Sequence, residues 1–142
     1  MFTLHTQLAK DCITLGDLPL CRVLLMNDAN YPWLVLVPRR EEIVELFELS
    51  RLDQQQLLDE IAQVSSALAG HFRADKMNVA ALGNIVPQLH VHIIARYRDD
   101  AAWPKPVWGA VAAQPYIEDG LRNRMVEIEK LLASADLQPA IN

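Results

Sequence analysis

The chain has 142 residues, 51% of them hydrophobic and 22% charged, which predicts one domain over residues 1–142 that buries about two-thirds of its unfolded surface. Lys and Arg number 13 against 18 Asp and Glu, a net charge of −5, and that balance argues against a broad basic face for a nucleic acid polymer or a membrane surface. No stretch reaches the ~18 apolar residues of a membrane span, and an N-terminus carrying His5, Lys10, Asp11 and Asp17 lacks the apolar centre of a signal peptide, so a cytoplasmic location is expected.

Taken in chain order, Cys12 and Cys21 fit neither a metal pair nor a redox motif and read as buried free thiols. Arg22 to Met26 and Trp33 to Val37 are apolar, partly β-branched runs separated by the turn formers Asn27, Asp28, Asn30 and Pro32, which predicts a hairpin that Pro38 ends. A short helix is expected over Glu41 to Leu49. A longer one, capped by Ser50, follows with an apolar stripe at Leu57, Ile61, Val64, Leu68 and Phe72. A strand at Asn78 to Leu82, the turn Gly83-Asn84 and a β-branched run from Val86 to Tyr97 come next, before a last amphipathic helix at about 116–134 that carries Leu121, Met125, Ile128 and Leu132. Adjacent strands with helices in separate blocks predict an α+β fold with a mainly antiparallel sheet.

The chemistry concentrates in Gln88-Leu89-His90-Val91-His92-Ile93-Ile94-Ala95-Arg96. On a strand the alternation sends Leu89, Val91, Ile93 and Ala95 to one face and Gln88, His90, His92 and Arg96 to the other. Neighbours on that face stand ~6.5 to 7 Å apart, so both imidazoles reach one phosphate-sized ligand. His-x-His on a strand also suits a metal, but no Cys or carboxylate cluster at ligand spacing completes the site. Arg96 reads as a solvated strand end. Asn27, Asp28 and Asn30 have the ordinary reading of turn formers.

Residues Gly83 to Arg96 closely resemble the signature of the histidine triad (HIT) family of nucleotide hydrolases and transferases, His-apolar-His-apolar-His-apolar-apolar after Gly-Gln-x-Val-Pro. The likeness extends over about 20–110: Leu36-Val37-Pro38-Arg39-Arg40 is similar to the end of the family's nucleoside-holding hairpin, and Trp103-Pro104 with Gly109 to the elements that follow the triad. It implies a HIT-like fold of about five antiparallel strands. It implies that His90 is the nucleophile, His92 the phosphate-binding partner, and Gln88 the residue in the first triad position, where the family ordinarily has His. It further implies substrate contacts from Asn27 or Asp28 to a ribose, from Asn78 to phosphate, and from Trp108 near the leaving group; a phosphate held there also needs donors, for which His92 and the amides of Asn84 and Gln88 are the candidates.

The implied activity is nucleotidyl hydrolysis or transfer at the α-phosphate of a phosphoramidate or dinucleoside polyphosphate, through a nucleotidyl-histidine on His90. That scheme requires no metal and no cofactor and takes a small-molecule nucleotide as substrate; the resemblance also implies a homodimer as the assembly. The rivals are a nucleotide-binding module of little or no turnover and a metal-binding module built on His90 and His92. Gln88 is expected to brace the nucleophile's tautomer, since its amide offers both a donor and an acceptor.

Overall fold

Two continuous apolar runs on either side of a polar turn can bury both faces only inside a sheet. The computed structural model, which describes residues 1–141, places them there. In chain order the elements are α1 (Thr6–Asp11), β1 (Cys12–Asp17), β2 (Cys21–Met26), β3 (Trp33–Pro38), α2 (Arg51–Phe72), β4 (Lys76–Ala80), β5 (Val91–Arg96), α3 (Glu118–Leu132) and β6 (Gln138–Pro139). The strands form one six-stranded sheet in the order β4-β5-β3-β2-β1-β6, with every pair antiparallel. The fold is α+β with an antiparallel sheet, as the sequence predicts. The sheet gains a sixth strand because β6, only two residues long, pairs with β1 at Gly16 and Asp17. A side chain at Gly16 would collide with the backbone of Gln138 and Pro139, so that pairing needs glycine.

One face of the sheet packs Val23, Leu25, Leu34, Leu36, Val91 and Ile93 against Leu57, Val64 and Leu68 of α2 and Ile128 and Leu132 of α3. The Ser50 hydroxyl caps α2 by accepting from Asp53 N–H at 3.1 Å, and Arg73 ends it in the left-handed conformation at φ 50°. Leu57, Val64 and Leu68 of the helical stripe are buried and Ile61 and Phe72 partly so, with one addition. Glu60 is 0% exposed because its carboxylate accepts from Leu20 N–H and Cys21 N–H at 2.9 and 2.8 Å and from Gln56 Nε2 at 2.7 Å. It fastens the turn into β2, and three donors satisfy a charge that could not otherwise be buried.

The opposite face carries Leu24, Trp33, Val35, Val37 and Ile94, covered by Leu8 of α1, Tyr31, Val86, Ala102 and Val107. Three local expectations are corrected. The helix over Glu41 to Leu49 is a single 3-10 turn at Leu46–Glu48, because Glu42 takes a positive φ of 55° and the Glu48 carboxylate accepts from Val44 and Glu45 N–H instead of allowing a helix to propagate. The strand expected at Asn78 to Leu82 lies two residues earlier. The long run Val86 to Tyr97 is a strand only from Val91 to Arg96: Pro87 has no N–H to give a ladder, and Leu89 N–H goes to Ile43 C=O at 2.9 Å. Cys12 and Cys21 are buried free thiols. Burial, reinforced by Asp11, pushes the Cys12 thiol up to about 12, and burial, reinforced by Glu60, raises that of Cys21.

Candidate active site

His90 precedes β5 and His92 lies within it, both nearly buried at 6% and 5% exposure, on the sheet face away from α2 and α3. Their rings lie 4.9 Å apart, edge to face. Each ring is fixed by a partner of unambiguous character. His90 Nδ1 lies 2.7 Å from the backbone carbonyl oxygen of Gln88, which can only accept, so in the neutral ring the proton sits on Nδ1 and the lone pair on Nε2. Trp33 Nε1–H, which can only donate, reaches His92 Nδ1 at 3.0 Å; the neutral His92 ring therefore holds its proton on Nε2. With both rings neutral, the pair thus combines an unprotonated ring nitrogen on one imidazole with an N–H donor on the next.

Burial lowers the His92 pKa, and the neighbouring His90 lowers it further, to about 4. Below about 6.5 the unfolded chain protonates this imidazole while the folded one stays neutral until about 4. Folding stability should therefore be full above pH 6.5 and decline as pH falls to about 4, by on the order of 3 kcal/mol. Urea titrations across that window check it, and His92→Asn should flatten the decline.

A cleft of about 450 Å³ opens beside the two imidazoles, lined by Gln7, Leu8, Asp11, Met26, Asn84 and Trp108 among others. A second of about 420 Å³ is lined by Asn27, Asp28, Lys10, Gly109 and Pro115. Asp11, Met26, Trp33 and Trp108 border both. Trp108 stands edge to face with His92 at 5.0 Å and with Trp33 at 5.8 Å, and is 37% exposed. The structure therefore gathers His90, His92, Asn84 and Trp108 at one cleft, with Asn27 and Asp28 at the adjoining one. Both hairpin residues also fasten the segment after Trp108: Asp28 Oδ1 accepts from Gln114 N–H at 3.2 Å and Asn27 Oδ1 from Tyr116 N–H at 2.9 Å.

Two residues stand elsewhere. Asn78 lines neither cleft; its amide oxygen accepts from Arg96 Nη1 at 2.8 Å. The side chain of Gln88 points away from the histidines, with Oε1 accepting from His5 N–H at 2.8 Å and Nε2 donating to Thr3 C=O at 2.9 Å. It is the backbone of Gln88, and not its amide, that sets the tautomer of His90. The alternation holds from Leu89 onward, with Leu89, Val91 and Ile93 in the core and His90 beside His92, and fails at Gln88, where the chain has not yet entered the sheet.

Arg96 is a further correction, since it is 1% exposed and forms a buried pair with Asp100, Nε to Oδ2 at 2.7 Å and Nη2 to Oδ1 at 3.1 Å. Its Nη2 also donates to Lys105 C=O at 2.8 Å, and Tyr31 and Trp103 flank the guanidinium. Burial raises the Asp100 pKa, but hydrogen bonds from Arg96 and from the N–H groups of Tyr97, Ala102 and Trp103 outweigh it and hold the carboxyl down at about 2. This network shapes the loop that delivers Trp108. The sequence marks Trp33 only as a strand residue and gives no role to Asp100 or to α1, for which Gln7 and Asp11, one helical turn apart and hydrogen-bonded at 2.9 Å, are a local signal.

Among the described residues no group of three or more His, Cys, Asp or Glu could hold a metal ion, and no helix is long and apolar enough to cross a membrane. Residues 7–99 match the family model described as HIT domain. A histidine triad protein from Bradyrhizobium japonicum is 50% identical, with 91% of this chain and 96% of that one covered and a TM-score of 0.88. One from Marinobacter aquaeolei is 49% identical, covering 95% and 98% at a TM-score of 0.92, and one from Sinorhizobium meliloti is 48% identical, covering 89% and 96% at 0.85. No curated protein matches the chain.

Proposed function

The chain belongs to the HIT domain family, whose members are generally nucleotide hydrolases or transferases, and from that premise we propose that it cleaves a nucleotide conjugate at the α-phosphate through a covalent nucleotidyl-histidine on His90. The observation that carries the proposal is the complementary protonation of the two imidazoles imposed by Gln88 C=O and Trp33 Nε1–H. His90 Nε2 attacks phosphorus, the N–P bond forms, and the bond to the leaving group breaks with its electron pair, the leaving atom taking up a proton from water in the open cleft. The Nδ1–H to carbonyl hydrogen bond steadies the positive charge that the ring acquires. His92 Nε2–H, kept uncharged by burial, donates to a phosphate oxygen, and the Asn84 amide is a second donor to that group. Water or another acceptor then displaces His90. Gln88 occupies the first triad position without touching the reacting atoms.

The lining bears on the leaving group. The cleft beside His90 has neither Lys nor Arg among its described residues and includes the carboxylate of Asp11, so it suits a conjugate with one phosphate, of the phosphoramidate type, better than the several charges of a polyphosphate. The nucleoside then lies towards Asn27 and Asp28, with Trp108 closing over the phosphate. Single-turnover assays on an adenosine phosphoramidate and a dinucleoside polyphosphate, with and without chelator, test this. Faster cleavage of the phosphoramidate and no effect of chelator are expected. Nucleotide binding with no turnover would identify a binding module instead, and loss of activity with chelator a metal site.

We also propose a homodimer. β4 ends the sheet with one unpaired edge, Val79 on it is 47% exposed and Ile85 in the following loop 88%, and a second copy would satisfy the free backbone groups while covering these side chains. Sedimentation at tens of micromolar should give twice the 16.0 kDa of the chain; a species of that single mass would refute the dimer and leave the chemistry standing.

A further inference from the structure

We propose that Gln88 is a positioning residue that builds one wall of the catalytic cleft by holding the N-terminal segment against the loop that carries His90. The inference rests on the reading of that cleft as the nucleotide site. Its starting point is the size of α1. A helix of six residues does not persist alone, because a single turn fixes more backbone than its hydrogen bonds repay, yet this one supplies Gln7, Leu8 and Asp11 to the cleft beside His90 and His92. Something must hold it at both ends.

The C-terminal end is held by the hairpin, where Asn27 N–H donates to Asp11 C=O at 3.1 Å. The N-terminal end is held by Gln88. Its amide accepts from His5 N–H at 2.8 Å and donates to Thr3 C=O at 2.9 Å, engaging two backbone groups two residues apart as a neighbouring strand would. His5 is itself the N-cap of α1, its Nδ1 accepting from Gln7 N–H at 3.1 Å. Gln88 therefore grips the capping residue, the cap starts the helix, and the helix reaches across to the hairpin, so that the wall of the cleft is strung between the nucleophile's own loop and Asn27.

The chemistry of the position follows. A primary amide presents its acceptor and donor side by side and nearly parallel, matching the carbonyl and N–H of an extended segment. The two nitrogens of an imidazole diverge, and a ring in this place would satisfy one of the two backbone groups at most. Glutamine here is accordingly a device for ordering the wall, and its effect falls on substrate binding more than on the chemical step.

The test is amide hydrogen exchange and steady-state kinetics on the full chain with Gln88→Met, which keeps the length and removes both hydrogen bonds, and with Gln88→Glu, which keeps the acceptor for His5 N–H and loses the donor to Thr3. In Gln88→Met the amides of residues 5 to 11 should exchange about tenfold faster or more while those of α2 and β5 do not change, since the loss is local. The affinity for AMP and the KM of an adenosine phosphoramidate should each weaken about five- to tenfold with kcat within about threefold, and Gln88→Glu should fall between. Unchanged exchange at residues 5 to 11 in both variants would overturn the proposal. So would a hundredfold loss of kcat at constant KM, which would make Gln88 a participant in the chemistry. Should the wild type turn over no nucleotide conjugate, the functional reading fails by itself, and the exchange of residues 5 to 11 still decides whether Gln88 holds the wall.

Discussion

His90→Asn should abolish α-phosphate cleavage, lowering kcat by about three orders of magnitude or more while the affinity for AMP changes little. Asparagine can still donate towards Gln88 C=O, so the local packing survives, but it has no lone pair of comparable basicity to offer phosphorus. The loss falls on the barrier and not on ground-state contacts. Intact mass after brief exposure to substrate should show a nucleotide adduct on the wild type and none on the variant. His92→Asn should cost less, about ten- to a hundredfold, because it removes a hydrogen-bond donor and leaves the nucleophile in place. Equal rates for wild type and His90→Asn would rule out covalent catalysis at this residue.

Asp100→Ala should destabilise the fold by about 3 to 5 kcal/mol, the cost of leaving a guanidinium buried without its counter-charge. Arg96 is held among Asn78, Asp100 and Lys105 with 1% exposure and cannot rotate out to water. The variant also leaves the N–H groups of Tyr97, Ala102 and Trp103 without their common acceptor. Urea unfolding measures the loss. Removing both charges with Arg96→Met and Asp100→Leu together should recover part of it, since an apolar pair of similar volume has no stranded ion. Because the same network positions the loop to Trp108, the KM of any surviving Asp100→Ala protein should rise. A loss below about 1 kcal/mol would show that the loop is held by its packing and not by the ion pair.

The sequence by itself determined the α+β class, the β2–β3 hairpin, the cap and buried stripe of α2, the last helix and the pairing of His90 with His92 on one face. These are properties of local period and local chemistry: a repeat of two or of three and four, a hydroxyl before a helix, a proline after a strand. It also marked Gln88 as unusual, but assigned its side chain to the nucleophile, because alternation presumes that the strand already exists at residue 88. Only the tertiary structure decided that the ladder begins at Val91, that the Leu89 N–H belongs to Ile43, and that the Gln88 amide therefore turns to Thr3 and His5 across more than eighty residues of chain. The same holds for the tautomers, set by a carbonyl and by Trp33 Nε1–H, and for Arg96, which reads as a solvated strand end until Asp100 and Asn78 close around it. A hydrogen bond between distant residues leaves no period in the sequence, since its partners are chosen by the packing that brings them together.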